Sequence, residues 1–99
     1  MHKEKWFQYP FRFQLGNIGS EISQIRKRGE EGDDSNKVIA YERAFELLDL
    51  TIQDPKNHNR LRELLRFREC LGCLYVDSSE ILVPLSYLEK YCAEFALAG

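Results

Sequence analysis

Phe11-Arg-Phe-Gln-Leu-Gly-Asn-Ile-Gly-Ser-Glu-Ile-Ser-Gln-Ile25 is the stretch whose periodicity decides the fold. Its residues Phe11, Leu15, Ile18, Ile22 and Ile25 recur at steps of four, three, four and three, so all five lie on one narrow helical stripe. Pro10 suits a first helical position, and Arg26-Lys27-Arg28 before Gly29 suits a helix C-terminus, where cations complement the macrodipole. A helix over about 10–28 is predicted. Gly16 and Gly19 cost it roughly 1 kcal/mol each relative to Ala. They share one flank, where a neighbouring backbone can approach closely.

An amphipathic helix must bury its stripe against other elements, and the remainder of the chain supplies three more helices. Residues 29–36 contain no apolar side chain and form a loop, with Asp34 or Ser35 as the next cap. Val38, Tyr41, Phe45, Leu48 and Ile52 then mark a helix over 35–53, ended by Asp54-Pro55. Ile39, Leu47 and Leu50 fall off that stripe and give this helix a second apolar side. Leu61, Leu64, Leu65, Leu71, Leu74 and Tyr75 define the buried face of a third helix over 57–75. A turn at 76–79 follows, and a fourth helix over 80–97 carries Leu85, Leu88, Tyr91, Cys92 and Phe95, with Pro84 in its first turn and a short helical turn at 79–82. No segment sustains the period-two alternation of a half-buried strand, and no internal repeat is present. The expected fold is all-α: residues 1–99 as one domain, an antiparallel up-down four-helix bundle with an aromatic N-terminal arm.

Ninety-nine residues with 43% apolar and 30% charged side chains describe an ordinary globule and exclude disorder or a disulfide scaffold. The net charge of −2 argues against a strongly basic nucleic-acid binder. Its distribution carries more information. Residues 1–28 hold six basic and two acidic side chains, and residues 29–54 hold two and eight. Residues 55–75 hold five and two, and residues 76–99 hold one and four. Sequential helices are neighbours in an up-down bundle, so each neighbouring pair carries opposite charge, which disfavours wrong pairings. The N-terminus lacks a secretory h-region, the longest aliphatic run is Ile81-Leu82-Val83, and three cysteines cannot all pair. A cytoplasmic protein with free thiols is the expectation.

Cys70-Leu-Gly-Cys73 forms a CxxC near the end of the third helix, the pole opposite to the N-terminus that activates redox thiols, so a structural role is expected. His2 and His58 are the only histidines and neither has the Glu-x-x-His spacing of a di-metal bundle. No nucleotide, hydrolase or metalloprotease motif occurs, and no metal, cofactor or catalytic residue is assigned. Arg68 falls within the apolar stripe of its helix, where a charge must be paired or reach the surface. Asp49 and Glu21 are candidate partners, with Asn17 one turn before Glu21. Asn17, Glu21, Asp49 and Arg68 are therefore the candidate ligand-binding set for a small anion or metabolite, against a purely structural ion pair or a snorkelling arginine. Arg60, Arg62 and Arg66 are the candidate nucleic-acid contacts, although Glu63 and Glu69 interrupt them and an acidic neighbouring helix already accounts for their charge.

Trp6, Phe7, Tyr9, Phe11 and Phe13 place five of the twelve aromatics within eight residues. Either this arm packs over one end of the bundle, or it contacts a partner, in which case Trp6, Phe7, Tyr9 and Phe13 form the interface. Together with the second apolar side of the 35–53 helix, it makes homodimerisation the leading expectation.

The stretches Asn17-Ile-Gly-Ser-Glu21, Glu46-Leu-Leu-Asp-Leu-Thr-Ile52 and Arg60-Leu-Arg-Glu-Leu-Leu-Arg-Phe-Arg-Glu69 resemble a family of small, uncharacterised prokaryotic all-helical proteins, over most of residues 6–97. The resemblance implies no activity, but it draws in Asn17, Glu21, Asp49, Arg60 and Arg68. The HEPN superfamily of helical ribonucleases requires an arginine shortly before a histidine. The nearest arginine before His58 is Arg43, fifteen positions away, so that motif is absent. The expected function is non-catalytic and works through self-association or partner binding, with nucleic-acid association and metabolite binding as the alternatives.

Overall fold

The computed structural model describes residues 2–76 and 84–97. Five α-helices occur among them: α1 (Lys3–Phe7), α2 (Phe11–Glu30), α3 (Asp34–Gln53), α4 (Leu61–Val76) and α5 (Leu85–Leu97). A 3₁₀ segment, Pro55–Arg60, precedes α4. The fold is all-α, with α2–α5 as the four long helices of a bundle. Gly16 faces Ala96 and Gly19 faces Cys92, so α2 and α5 run antiparallel. Arg68 pairs with Asp49 while Tyr75 packs on Tyr41, so α3 and α4 do too. Going round the bundle, α2 lies between α3 and α5, and α4 closes the ring.

The predicted stripe of α2 is the centre of the core: Leu15, Ile18, Ile22 and Ile25 are buried. Ala40, Ala44 and Leu48 of α3, Leu64, Phe67 and Leu71 of α4, and Leu88 and Cys92 of α5 complete it. Small residues set the spacing. A Cβ added to Gly19 would stand 2.8 Å from the Cys92 Cβ, and one on Gly16 would stand 3.4 Å from the Ala96 Cβ. The two glycines thus let α5 lie close against α2, as their shared flank predicts. Large rings fill the other seams, with Phe67 against Tyr91 between α4 and α5 and Tyr75 against Tyr41 and Phe45 between α4 and α3.

Several boundaries differ from the sequence reading for local reasons. Helix α2 continues through Gly29 to Glu30, and the reversal is made by Gly32 at φ +72°, a conformation that suits glycine. Asp33 rather than Asp34 or Ser35 caps α3, its carboxylate accepting from the Asn36 amide. The third long helix begins at Leu61 rather than at 57. Asp54 is extended and its carboxylate accepts from the Lys56 amide, so the chain enters a 3₁₀ segment at Pro55 before α4 starts. The buried line of α4 is Leu64, Phe67 and Leu71, whereas Leu65 and Tyr75, expected inside, are exposed. Val76 belongs to α4. The expected helical turn at 79–82, most of the 76–79 turn and the first residues of the 80–97 helix lie outside the described residues.

The aromatic arm packs on its own chain. Trp6 is fully buried, Tyr9 meets Trp6 edge-on and Phe13 at a tilt, and only Phe13 of the four expected interface residues is exposed; Phe7 and Tyr9 are half-buried. Of the two roles weighed for the arm, closing one end of the bundle is the one the structure shows for Trp6.

Candidate functional site

Polar residues that occupy apolar helical positions hold the arm in place. Trp6 Nε1 donates to Thr51 Oγ1 at 2.9 Å, and Thr51 Oγ1 donates to the Leu47 carbonyl at 2.8 Å. Gln14 Nε2 donates to the Trp6 carbonyl at 3.1 Å and to Asp54 Oδ2 at 2.9 Å. Asn57 Nδ2 donates to Gln14 Oε1 at 2.9 Å and to the Thr51 carbonyl at 3.0 Å. Lys56 Nζ bridges the Asp54 carboxylate and the Phe7 carbonyl. Gln14, Thr51, Asp54 and Asn57 are all buried. Burial acts to raise the Asp54 pKa, but hydrogen bonds from Lys56 and Gln14 outweigh it and hold the carboxyl below its ordinary range. The side chains of this cluster bond to one another and to the backbone around them, so its chemistry is that of a latch.

A second charged cluster ties α2 to α5. Arg26 Nε and Ser23 Oγ both donate to the Glu89 carboxylate, the arginine at 2.9 Å. These hydrogen bonds, Arg26 first, lower the Glu89 pKa. The pair joins the basic first segment to the acidic last one.

The candidate ligand-binding set does not converge. Arg68 donates to Asp49 through Nε at 2.6 Å and Nη2 at 3.3 Å, and its guanidinium stands 5.1 Å from the Phe45 ring centre. Asn17 donates to the Phe13 carbonyl on the exposed surface of α2, beside Gly16 and Ala96. Glu21 lines a different groove, between α2 and α3, with Gln24, Arg28 and Arg43. Asp49 and Arg68 meet because they flank one seam; Asn17 and Glu21 project from α2, on the other side of α3. The candidate nucleic-acid residues divide as well. The Arg60 guanidinium lies 4.6 Å from the Phe11 ring centre and 5.0 Å from that of Phe95, a cation–π plug at one end of the bundle, while Arg62 and Arg66 are exposed.

What the Arg68–Asp49 pair marks is a face rather than a pocket. Both side chains are more than two-fifths exposed, at 43% and 44%. Around them along the α3–α4 seam stand Val38, Leu65, Tyr75 and Val76, all exposed, over half-buried Phe45. On α4 the sequence positions 65, 68, 72 and 75 step by three, four and three, so Leu65, Arg68, Gly72 and Tyr75 share one edge of the helix. A Cβ on Gly72 would meet nothing within 4 Å. Gly16 and Gly19 have neighbours that explain them; Gly72 has none among the described residues. A groove of about 680 Å³ lined by Val38, Tyr41, Leu74, Tyr75 and Val76, with the Lys37–Asp34 ion pair on its rim, extends the face toward the start of α3. The sequence reading missed this face because it placed Leu65 and Tyr75 in the core. A usable signal was Gly72, a helix-weakening residue in the middle of an otherwise strong helical pattern.

Among the described residues, no group of His, Cys, Asp and Glu is arranged to hold a metal ion, and no helix is long and apolar enough to cross a membrane. Cys70, Cys73 and Cys92 are free thiols. Burial, the first cause, raises the Cys70 pKa, opposite to what an activated redox thiol requires. Comparison with protein-family models, curated proteins and solved structures returns no match.

Proposed function

We propose that this chain acts by self-association, as a homodimer joined through the α3–α4 face. The observation that carries the reading is an apolar edge, Leu65, Tyr75 and Val76 beside Gly72, with Val38 across the seam, whose side chains stay partly exposed even where Tyr75 leans on Tyr41 and Phe45. Burying four such side chains at about 1.5–3 kcal/mol each is a driving force of the size that dimers use. Gly72 permits close approach of a second helix. The Arg68–Asp49 pair supplies self-complementary charge at the same edge: about a two-fold axis near Gly72, each arginine can also meet the partner's Asp49, an isologous contact.

Light scattering on a sizing column, run from low to high micromolar protein, tests the proposal. The expected result is a mass twice 11.7 kDa at high concentration. Leu65→Glu and Tyr75→Glu return it to the monomer with unchanged helical circular dichroism, and Phe13→Glu, on the arm, leaves the dimer intact. A monomeric mass at every concentration overturns the proposal. Dissociation by Phe13→Glu but not by Leu65→Glu moves the interface to the arm and also overturns it.

A further inference from the structure

Two open grooves meet at Ser20 on the outer edge of α2. One, of about 340 Å³, runs toward Arg12 and Phe13 and is bordered by Ala96 of α5. The other, of about 370 Å³, runs toward Gln24 and Arg28 and is bordered by Asn36, Ile39 and Arg43 of α3. Phe13, Asn17, Ser20, Gln24 and Arg28 step by four, three, four and four, so one edge of the helix links the two. From Arg12 to Arg28 this track is about 24 Å long, at about 1.5 Å per residue. Its side chains are reachable from solvent: Arg12, Phe13, Ser20 and Arg43 are exposed, and Asn17 and Arg28 are half-buried. Three arginines stand in the lining against one acid, Glu21. Arg28 also pairs with Glu31 at 3.1 Å, whereas Arg12 and Arg43 form no ion pair among the described residues. The Phe13 ring packs on Tyr9 at 4.4 Å between centres and a 32° tilt, and Tyr9 meets buried Trp6, so the exposed ring is braced by the arm. Asn17 and Ser20 each donate to a carbonyl of their own helix, at 2.9 and 3.1 Å, which leaves the Asn17 carboxamide oxygen and the Ser20 hydroxyl oxygen able to accept.

We infer that this track binds single-stranded nucleic acid. A strand is a line of phosphates carrying flat bases with N–H donors, and the track meets each of those features. Arg12 at one end and Arg28 with Arg43 at the other take phosphates. A base stacks on the exposed Phe13 ring, which any base can do because each has a π-face. Asn17 and Ser20, between the cations, accept from base N–H groups. The length suits about four nucleotides, the short end of the range for single-strand surfaces. Paired bases in a duplex are stacked on one another and offer Phe13 nothing to cover. An acidic peptide would use the arginines but bring no flat ring for Phe13. The chain's net charge of −2 does not oppose the reading, because the cations that matter are local. Asn17 and Glu21, which do not converge with Arg68, share this edge instead.

Fluorescence anisotropy of a labelled ten-nucleotide oligothymidylate, titrated with the protein at low salt, tests the assignment. The anisotropy should rise and saturate. Raising the salt fourfold should weaken binding about twentyfold, since three phosphate contacts on a single strand give a slope of about −2. Arg12→Gln and Arg43→Gln should each weaken binding and reduce that slope by about 0.7. Phe13→Ala should weaken it about five- to hundredfold, the range for one stacked base. Glu21→Gln, which removes the one acid of the lining, should tighten it. Arg62→Gln and Arg66→Gln, on α4, should leave it unchanged. All of these side chains are at least partly exposed, so helical circular dichroism should stay that of the parent. The inference is overturned if the anisotropy does not rise at high micromolar protein, or if Phe13→Ala binds as well as the parent. It is equally overturned if unlabelled polyglutamate competes as well as unlabelled oligothymidylate, which would make the track a site for acidic peptides, or if Arg62→Gln and Arg66→Gln are the variants that lose binding.

Discussion

Gly19 of α2 and Cys92 of α5 lie so close that a Cβ on the glycine would sit 2.8 Å from the Cβ of the cysteine. No real pair of Cβ atoms tolerates that distance, so the contact sets how near the two helices can come. Helix propensity alone would favour Gly19→Ala by about 1 kcal/mol. Overpacking against Cys92 costs about 1–3 kcal/mol, so the variant should be destabilised on balance. Gly16→Ala meets Ala96 at 3.4 Å, close to ordinary contact, and should be neutral or slightly stabilising. Urea unfolding of the two variants side by side checks the sign; a stabilised Gly19→Ala would mean that the seam is looser than this contact implies.

Trp6 is the single tryptophan and is fully buried, with its indole N–H on Thr51. Its fluorescence should be blue-shifted in the folded protein and should move to the red in one step with the loss of helical circular dichroism. Gln14→Leu removes the group that joins Trp6, Asp54 and Asn57 and leaves buried donors and acceptors unpaired. It should cost about 2–4 kcal/mol, since each orphaned buried group costs about 1–3. If tryptophan emission reports exposure in Gln14→Leu while the helices stay folded, the latch holds only the arm; if both signals shift together, it holds the whole end of the bundle.

Asp54 and Glu89 are the carboxyls whose internal bonds matter to acid stability. Both have folded pKa values below the ordinary 3.8 and 4.5. A depressed folded pKa means that the stabilising contribution is complete above the unfolded value and is lost as pH falls through the folded one. Stability should therefore be level above about pH 5 and should decline steadily below about pH 4.5, toward still lower pH. Asp54→Asn and Glu89→Gln should each flatten this acid limb. A decline that begins above pH 6 in the parent would point to another group.

The three thiols should react in an order set by burial. Cys73 is exposed, Cys70 is half-buried with a raised pKa, and Cys92 is buried with its pKa pushed up to about 12. Alkylation at mildly alkaline pH, read by peptide mass, should modify Cys73 first and Cys92 only when the chain unfolds. Early modification of Cys92 would show that the α2–α5 seam opens in the native state.

Much of this arrangement was legible from residue order. The stripe Leu15, Ile18, Ile22, Ile25 appears in the core as its spacing requires, and the flank of Gly16 and Gly19 is the close approach to α5. Asp49 was one of two partners expected for Arg68, and it is the one that the structure pairs with it. Gln14 and Thr51 were overlooked, although their positions carried a signal: Gln14 is one turn before Ile18 and Thr51 one turn after Leu48, so both stand in apolar registers. Leu65 and Tyr75 were misplaced because the outer edge of a helical stripe is buried or exposed according to the width of the neighbour beside it, and helical periodicity does not contain that width.

The sequence by itself determined that there are four long helices, which side of each turns inward, and the alternation of charge between neighbours. Those properties follow from local periodicity, from caps and stops within a few residues, and from the order of charged residues along the chain. The tertiary structure alone decided which edges stay uncovered and which polar groups meet. Both depend on the distances between helices, which here are set by the narrowest contact, Gly19 against Cys92, and by the large rings that fill the opposite seams. That asymmetry brings Asp54, Gln14 and Asn57 together at one end of the bundle, and it leaves the Leu65–Gly72–Tyr75 edge of α4 facing outward beside Arg68 and Asp49.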